Sequence, residues 1–233
     1  MLHSINPSEE HYEAAKQLLL YLSDTKTHGI YFWRSNPHPD LPTATFPTTK
    51  PDTYKSDDTT VFPDTSGILV GAVDSDWGSD TTHRRSVSGI ALMVAGGPVL
   101  YQSKFQRTIA LSSTEAEFAA ACEAGKCILF VRSILDEIGM PQDSATPLYI
   151  DNNGALLMAN AKKPTNRTRH VDVKEFVLLD WVEQDLITMR RITTSANYSD
   201  GLTKPLARIL HYRHFDRLMG RYTPSYVKIP YSI

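Results

Sequence analysis

Between residues 67 and 151 the apolar positions gather in short blocks separated by turn-forming residues. GILVGAVD (67–74), GIALMVA (89–95) and PVLYQSK (98–104) are rich enough in branched and aromatic side chains to read as strands. Gly96–Gly97 between the second and third is a tight hairpin signal. SSTEAEFAAACEAGKCILFVRSILDEIG then reads as one long helix, closed by Gly139 and Pro141. PLYID is a fourth strand and NNGALLMAN a short helix. DVKEFVLLDWVEQD is another helix, LITMRRIT a fifth strand, and DGLTKPLARILHYRHFDRLMG a last helix starting near Pro205. Three meandering strands followed by alternating helix and strand predict an α/β fold. Its mixed five-stranded sheet has three antiparallel strands, then parallel ones, with helices on both faces. A parallel crossover through the long helix brings the first and fourth strands side by side.

The N-terminal part carries a different pattern. NPSEEHYEAAKQLLLYL is a helix in which Tyr12, Ala15, Leu19 and Leu22 share a face. Asn6 is a candidate cap, Pro7 suits the first helical position and Glu9 completes a capping box. GIYFWR reads as a strand. Pro37, Pro39, Pro42, Pro47, Pro51 and Pro63 then interrupt a stretch rich in Thr, Ser and Asp, which predicts a linker or long loop. The expected organisation is a helix-plus-strand segment over 1–34, a linker over 35–66 and a principal domain over 67–233.

Composition narrows the class. The chain has 233 residues, 41% of them hydrophobic, enough for a real core. The formal net charge of −2 excludes a strongly basic nucleic-acid binder. The balance is uneven, however. Residues 1–65 hold five Lys and Arg against nine Asp and Glu, leaving nineteen basic and seventeen acidic residues in 66–233. That mild positive balance permits a polyanionic partner without demanding one. Two cysteines, Cys122 and Cys127, make neither a disulfide framework nor a zinc site by spacing. With no apolar run near the length of a membrane span and no secretory signal at the start, the expected location is cytosol or nucleus.

Four acids stand at informative places. Asp74 ends the first strand, Glu117 lies in the first turn of the long helix, Asp151 ends the fourth strand and Asp200 precedes the last helix. Each has a plain alternative. Asp76 shares a strand face with Asp74, and an acid at a strand end is often simply solvated. Glu117 can complete a capping box with Thr114, as Glu115 does with Ser112. Asp151 and Asp200 can each cap a helix. Taken together, the adjacency of the first and fourth strands sets Asp74 and Asp151 as neighbours at one sheet edge. Crowded carboxylates repel unless a cation lies among them. An all-oxygen set with no Cys or His cluster selects Mg²⁺ or Mn²⁺ over zinc. Two such ions about 4 Å apart suit in-line displacement at phosphorus.

The segment VDSDWGSDTTHRRSVSGIALMVAGGPVLYQSKFQRTIALSSTEAEFAAACEA resembles the ribonuclease H domain of copia-type LTR retrotransposon polyproteins. LYIDNNGAL, NRTRHVDVKEF and SDGLTKPLA continue the resemblance over roughly residues 66–219. The N-terminal NPSEEHYEAAKQLLLYLSDTKTHGIYF resembles the segment that ends the reverse transcriptase of the same polyproteins. The resemblance implies a ribonuclease H fold and an Asp-Glu-Asp-Asp set, here Asp74, Glu117, Asp151 and Asp200, holding two Mg²⁺ ions that Mn²⁺ can replace. It implies an endonuclease that cuts the RNA strand of an RNA:DNA hybrid, leaving 3′-hydroxyl and 5′-phosphate ends. Arg84, Arg85, Lys104, Asn152, Arg167 and Arg169 are the candidate contacts to that hybrid, and the parent reverse transcriptase is a candidate partner. Within a retroelement the location would be a virus-like particle.

Departures from the pattern are informative. Many cellular ribonucleases H carry a histidine in the loop before the final acid, whereas TTSANYS has none, which implies slower proton or product handling. FVLLDW is more apolar than the corresponding segment of the family. No YxDD motif occurs, so the chain is not read as a polymerase. The Glu stands second among the acids, not last, which disfavours an integrase on the same fold. A different class of reading is a retained retroelement fragment that binds nucleic acid or protein without catalysis. Four intact acids argue against it.

Overall fold

The computed structural model describes residues 8–26, 29–30, 32, 67–80, 82–160 and 177–220. The chain divides into two units, Met1–Ile30 and Tyr31–Ile233. The first contains helix α1 (Glu9–Thr25), which buries none of its residues. Its cap is Ser8, whose N–H donates to His11 Nδ1 at 2.9 Å. Asn6 and Pro7, read from sequence as the helix start, lie outside the described residues, as do the linker 35–66 and half of the GIYFWR stretch, whose described residues Gly29, Ile30 and Phe32 are not in a strand.

The second unit is built on a five-stranded sheet in the order β3-β2-β1-β4-β5. β1 (Val70–Asp76), β2 (Val87–Val94) and β3 (Gly97–Phe105) form the antiparallel meander. β4 (Thr146–Ile150) pairs in parallel with β1, and β5 (Ile187–Arg191) in parallel with β4. This order and this pattern of directions are those of a ribonuclease H-like fold, as the sequence predicts. The hairpin turn falls one residue earlier than the Gly96–Gly97 reading. Ala95 and Gly96 take the two central positions, with φ of 51° and 71°, the pair of positive angles that a tight hairpin with right-handed strand twist requires.

α2 (Ser113–Glu137) crosses one face of the sheet between β3 and β4 in chain order. Its inner face alternates small and large residues, Ala116, Phe118, Ala120, Ala121, Ala124, Ile128, Val131 and Leu135, all buried. From Phe118 onward they pack with Val73, Ile90, Leu92, Leu148 and Ile150 in the main core. The alanines let the helix lie close to the strands, and Phe118 and Ile128 fill the depth that remains. α3 (Asn153–Ala159) and α4 (Val177–Glu183) adjoin the same core. Gly125 marks a close approach, since a Cβ there would meet the Trp181 ring at 2.6 Å.

The opposite face of β1 and β2 is lined by Ala72, Ala91 and Met93, and Tyr198 covers them. Tyr198 belongs to a short 3₁₀ turn, Tyr198–Leu202, that precedes α5 (Arg208–Leu218). Sequence reading gave one helix from near Pro205 and no 3₁₀ turn before it. The turn has no amphipathic period to reveal it, because it is a single wrap of chain. Arg217 of α5 is buried and its guanidinium donates to Ala196 O at 2.8 Å, which ties α5 to the chain just before the turn.

Candidate active site

Two ladders of unequal length shape the site. β1 pairs with β2 as far as Asp76, opposite Val87, but its parallel ladder with β4 is at Gly71 and Ala72. Asp74 therefore does not end its strand, contrary to the sequence reading. It stands opposite Gly89, where the β4 side has already opened. The continuing β2 pairing holds its backbone rigid, while the gap leaves room for other groups. Asp151 follows the last residue of β4 directly.

The helix-capping alternatives are taken by other residues. Ser112 caps α2, accepting from Glu115 N at 3.2 Å, and Glu115 reaches back to Leu111 N at 2.8 Å. That completed box leaves Glu117 unused, and its Oε1 instead accepts from Ser75 N on β1 at 3.1 Å. Asn152 caps α3, accepting from Ala155 N at 3.0 Å, so Asp151 is not the cap. Ala207 is the capping position of α5 and Asn197 caps the 3₁₀ turn, so Asp200 caps neither. Glu117, Asp151 and Asp200 therefore cap none of these elements.

Asp74, Glu117 and Asp151 each place one carboxylate oxygen within 4.8 Å of the others. Asp74 and Glu117 are buried, at 3% and 5% exposure. Glu117 Oε2 is buried without a hydrogen-bond partner. Burial, then the charges of Asp74 and Asp151, push the Glu117 carboxyl up to about 9. Burial also pushes Asp74 up to about 6; the Thr203 hydrogen bond and Lys204 oppose this, and the charges of Asp200 and Asp151 add to it. A buried carboxylate oxygen lacking a proton donor, beside two other acids, fits a hard divalent cation. Asp76, the alternative to Asp74, is half-buried and is not among the three that converge.

Asp200 arrives from the other face of the sheet. It is buried, and its Oδ1 is ion-paired to Lys204 Nζ. Thr203 Oγ1 donates to Asp74 Oδ2 and lies 3.0 Å from Asp200 O, so one hydroxyl bridges the turn to β1. Asn197 Nδ2 donates to Val73 O at 2.9 Å and fixes the turn from its other end. Burial works against the Lys204 ammonium, but Asp200, Asp74 and Asp76 together raise its affinity for the proton. Thr203 and Lys204 were not singled out in the sequence. Both belong to the motif SDGLTKPLA, where side chains of a coil segment carry no period from which to read their direction.

Gly89 makes this seating possible. A Cβ there would lie 2.7 Å from Ser199 O, 2.8 Å from Thr203 Cγ2 and 3.0 Å from Leu202 Cβ. Gly89→Ala is therefore expected to lift the turn off β2 and to cost about 1–3 kcal/mol. Urea denaturation of the variant measures this, and a midpoint equal to wild type would show that the turn gives way freely.

The candidate nucleic-acid contacts divide. Arg84 and Arg85 are exposed in the β1–β2 loop, which is closed by Arg84 N–Asp80 O at 2.6 Å and Asp80 N–Arg85 O at 3.1 Å. Arg84 itself has a positive φ of 56°. Lys104 lies opposite Ser88 and, with Arg107 and Lys126, lines a groove of about 310 Å³ between β3 and α2. Asn152 spends its side-chain oxygen on the α3 cap. Arg167 and Arg169 lie outside the described residues.

The sheet order already defines the class, a ribonuclease H-like domain. Its relatives give the particular setting. The chain is 30% identical over 203 residues, 87% of its length, to the retrovirus-related Pol polyprotein from transposon TNT 1-94 of Nicotiana tabacum. It is 25% identical over 226 residues, 97% of its length, to the Pol polyprotein from transposon RE2 of Arabidopsis thaliana. Both of these relatives are retrovirus-related Pol polyproteins of transposons and match most of the chain, which spans about 13% of the length of each. Among solved structures, LC11-RNase H1 in complex with RNA/DNA hybrid aligns with a TM-score of 0.42 at 11% identity, covering 58% of this chain and 93% of that one. No protein-family profile matches the chain. Among the described residues no helix is long and apolar enough to cross a membrane.

Proposed function

We propose that the principal domain is a metal-dependent ribonuclease H that hydrolyses the RNA strand of RNA:DNA hybrids, within or derived from a transposon polyprotein. The observation that carries this reading is the convergence of Asp74, Glu117 and Asp151, with a buried Glu117 oxygen left without a donor. The strand order and the Pol relatives support it. Asp74, Glu117 and Asp151 would hold one Mg²⁺, and Asp200 with Asp74 a second; Mn²⁺ has the same ligand preference. When bound, such ions activate the attacking water and stabilise the leaving 3′ oxygen. The chain's own part is positional. β1 and β4 fix two carboxylates to a rigid sheet, Ser75 N orients the third, and Thr203 holds Asp74 against rotation.

Hybrid selectivity would come from contacts to the RNA 2′-hydroxyls, which separate RNA from DNA. The test is incubation with Mg²⁺ and end-labelled hybrid, duplex RNA or duplex DNA. Cleavage of the RNA in hybrid, little of duplex RNA and none of duplex DNA is expected. Equal cutting of duplex DNA would place the domain among other nucleases. Arg84 and Arg85, exposed on a closed loop, would meet backbone phosphates by paired guanidinium hydrogen bonds, with Lys104 as a further cationic contact. Asn152, Arg167 and Arg169 complete the proposed contact set. Changing Arg84 and Arg85 together to Ala should weaken hybrid binding and reduce its salt slope by up to about two phosphate contacts. Turnover at saturating substrate should stay near wild type. Hybrid affinity measured across salt concentrations decides this, and an unchanged slope would return both arginines to a purely structural place in the loop.

A further inference from the structure

Asp74, Glu117 and Asp151 converge, and the fourth acid, Asp200, is ion-paired with Lys204, whose charge also acts on Asp74 and Glu117. Both partners sit on one short segment, four residues apart, and Thr203 between them anchors that segment to Asp74. The Lys204 side chain is 38% exposed, while that of Asp200 is 6% exposed. The carboxylate is thus fixed and the ammonium has a route to solvent. A lysine suits such a place because its charge rides on a flexible four-carbon stem.

We infer that Lys204 is an internal counterion that occupies Asp200 in the metal-free protein and must leave it for a second divalent ion to bind there. This rests on the proposed metal site and adds an order to it. The Asp74–Glu117–Asp151 set takes the first ion. The Asp200 side takes the second, more weakly, because the incoming ion displaces a paired ammonium. The lysine keeps a buried carboxylate compensated until that point, avoiding the penalty of an unpaired buried charge. Its arrangement makes Lys204 a positioning residue that regulates metal loading.

The test is titration of the full chain with Mn²⁺ alone, following free Mn²⁺ by electron paramagnetic resonance, together with the melting temperature of the metal-free protein. Wild type should bind two ions of unequal affinity. Lys204→Met should tighten the weaker site by about tenfold, since a unit charge within a few ångströms no longer opposes the ion. It should also lower the metal-free melting temperature, with saturating Mn²⁺ restoring it. Lys204→Arg, which keeps the charge, should stay close to wild type. Lys204→Gln is read in the same way if the Met variant fails to fold. A weaker site that is unchanged or loosened in Lys204→Met and Lys204→Gln would overturn the inference. So would a loss of hybrid binding with unaltered Mn²⁺ affinity, which would make the lysine a phosphate contact. Failure of the underlying site looks different: wild type would bind no Mn²⁺, or Asp151→Asn would bind it as wild type does.

Discussion

Asp151→Asn is expected to reduce hybrid cleavage by about a thousandfold or more while leaving the domain folded. The amide preserves the shape at the end of β4 but removes one of three charges that offset a divalent ion. A metal contributes several kcal/mol of charge stabilisation, and each 1.36 kcal/mol is a factor of ten in rate. Asp151 does not cap α3, since Asn152 does. The substitution therefore takes no support from the helix. Without metal the variant should melt higher than wild type, because Asp151 is one of the charges that raise Glu117 and Asp74. Activity within tenfold of wild type, or a lower metal-free melting temperature, would count against the site.

The second large effect is a dependence of stability on pH that metal reverses. In the folded, metal-free protein Glu117 is pushed up to about 9 from an ordinary 4.5, and Asp74 to about 6 from 3.8. The folded state then binds more protons than the unfolded one across the interval between those values. By linkage, stability is highest on the acid side and falls as pH rises from about 4 to about 9. This is the opposite of a salt-bridged acid. Divalent ions bind the ionised carboxylates, so the rise in melting temperature on adding Mg²⁺ should grow with pH over the same range. Glu117→Gln should flatten the metal-free profile and abolish most of the Mg²⁺ effect. Melting curves at several pH values, with chelator or with Mg²⁺, measure both. A metal-free melting temperature that climbs from about pH 5 to about pH 9 would contradict the burial of Glu117 beside two other acids.

The sheet was legible because its signals are local. Blocks of branched residues, a hairpin turn and one long capped helix leave few ways to order five strands. Register within the hairpin and the full length of β1 were not legible, since pairing of Asp74 with Gly89 is decided across strands. The acids were legible as a set but not in their individual geometry. A capping box with Thr114 explained Glu117, and a simple helix cap explained Asp151, until Ser112, Glu115 and Asn152 were seen to hold those places. Asp200 was picked out by its place before the last helix, yet its approach over Gly89 and its pairing with Lys204 depend on a 3₁₀ turn with no sequence period. The role of Gly89 shows the same limit. A glycine in a strand signals a close approach but does not say what approaches.

The most direct measurement is cleavage of a hybrid labelled on its RNA strand by protein stripped of metal, before and after Mg²⁺ is added. Intact RNA is expected without metal. On Mg²⁺ addition the RNA should be cut internally, leaving 5′-phosphate and 3′-hydroxyl ends, with the DNA strand untouched. RNA that stays whole under Mg²⁺ and Mn²⁺ alike, with the protein folded and the hybrid bound, would contradict the proposed function and leave a binding module on a ribonuclease H-like fold.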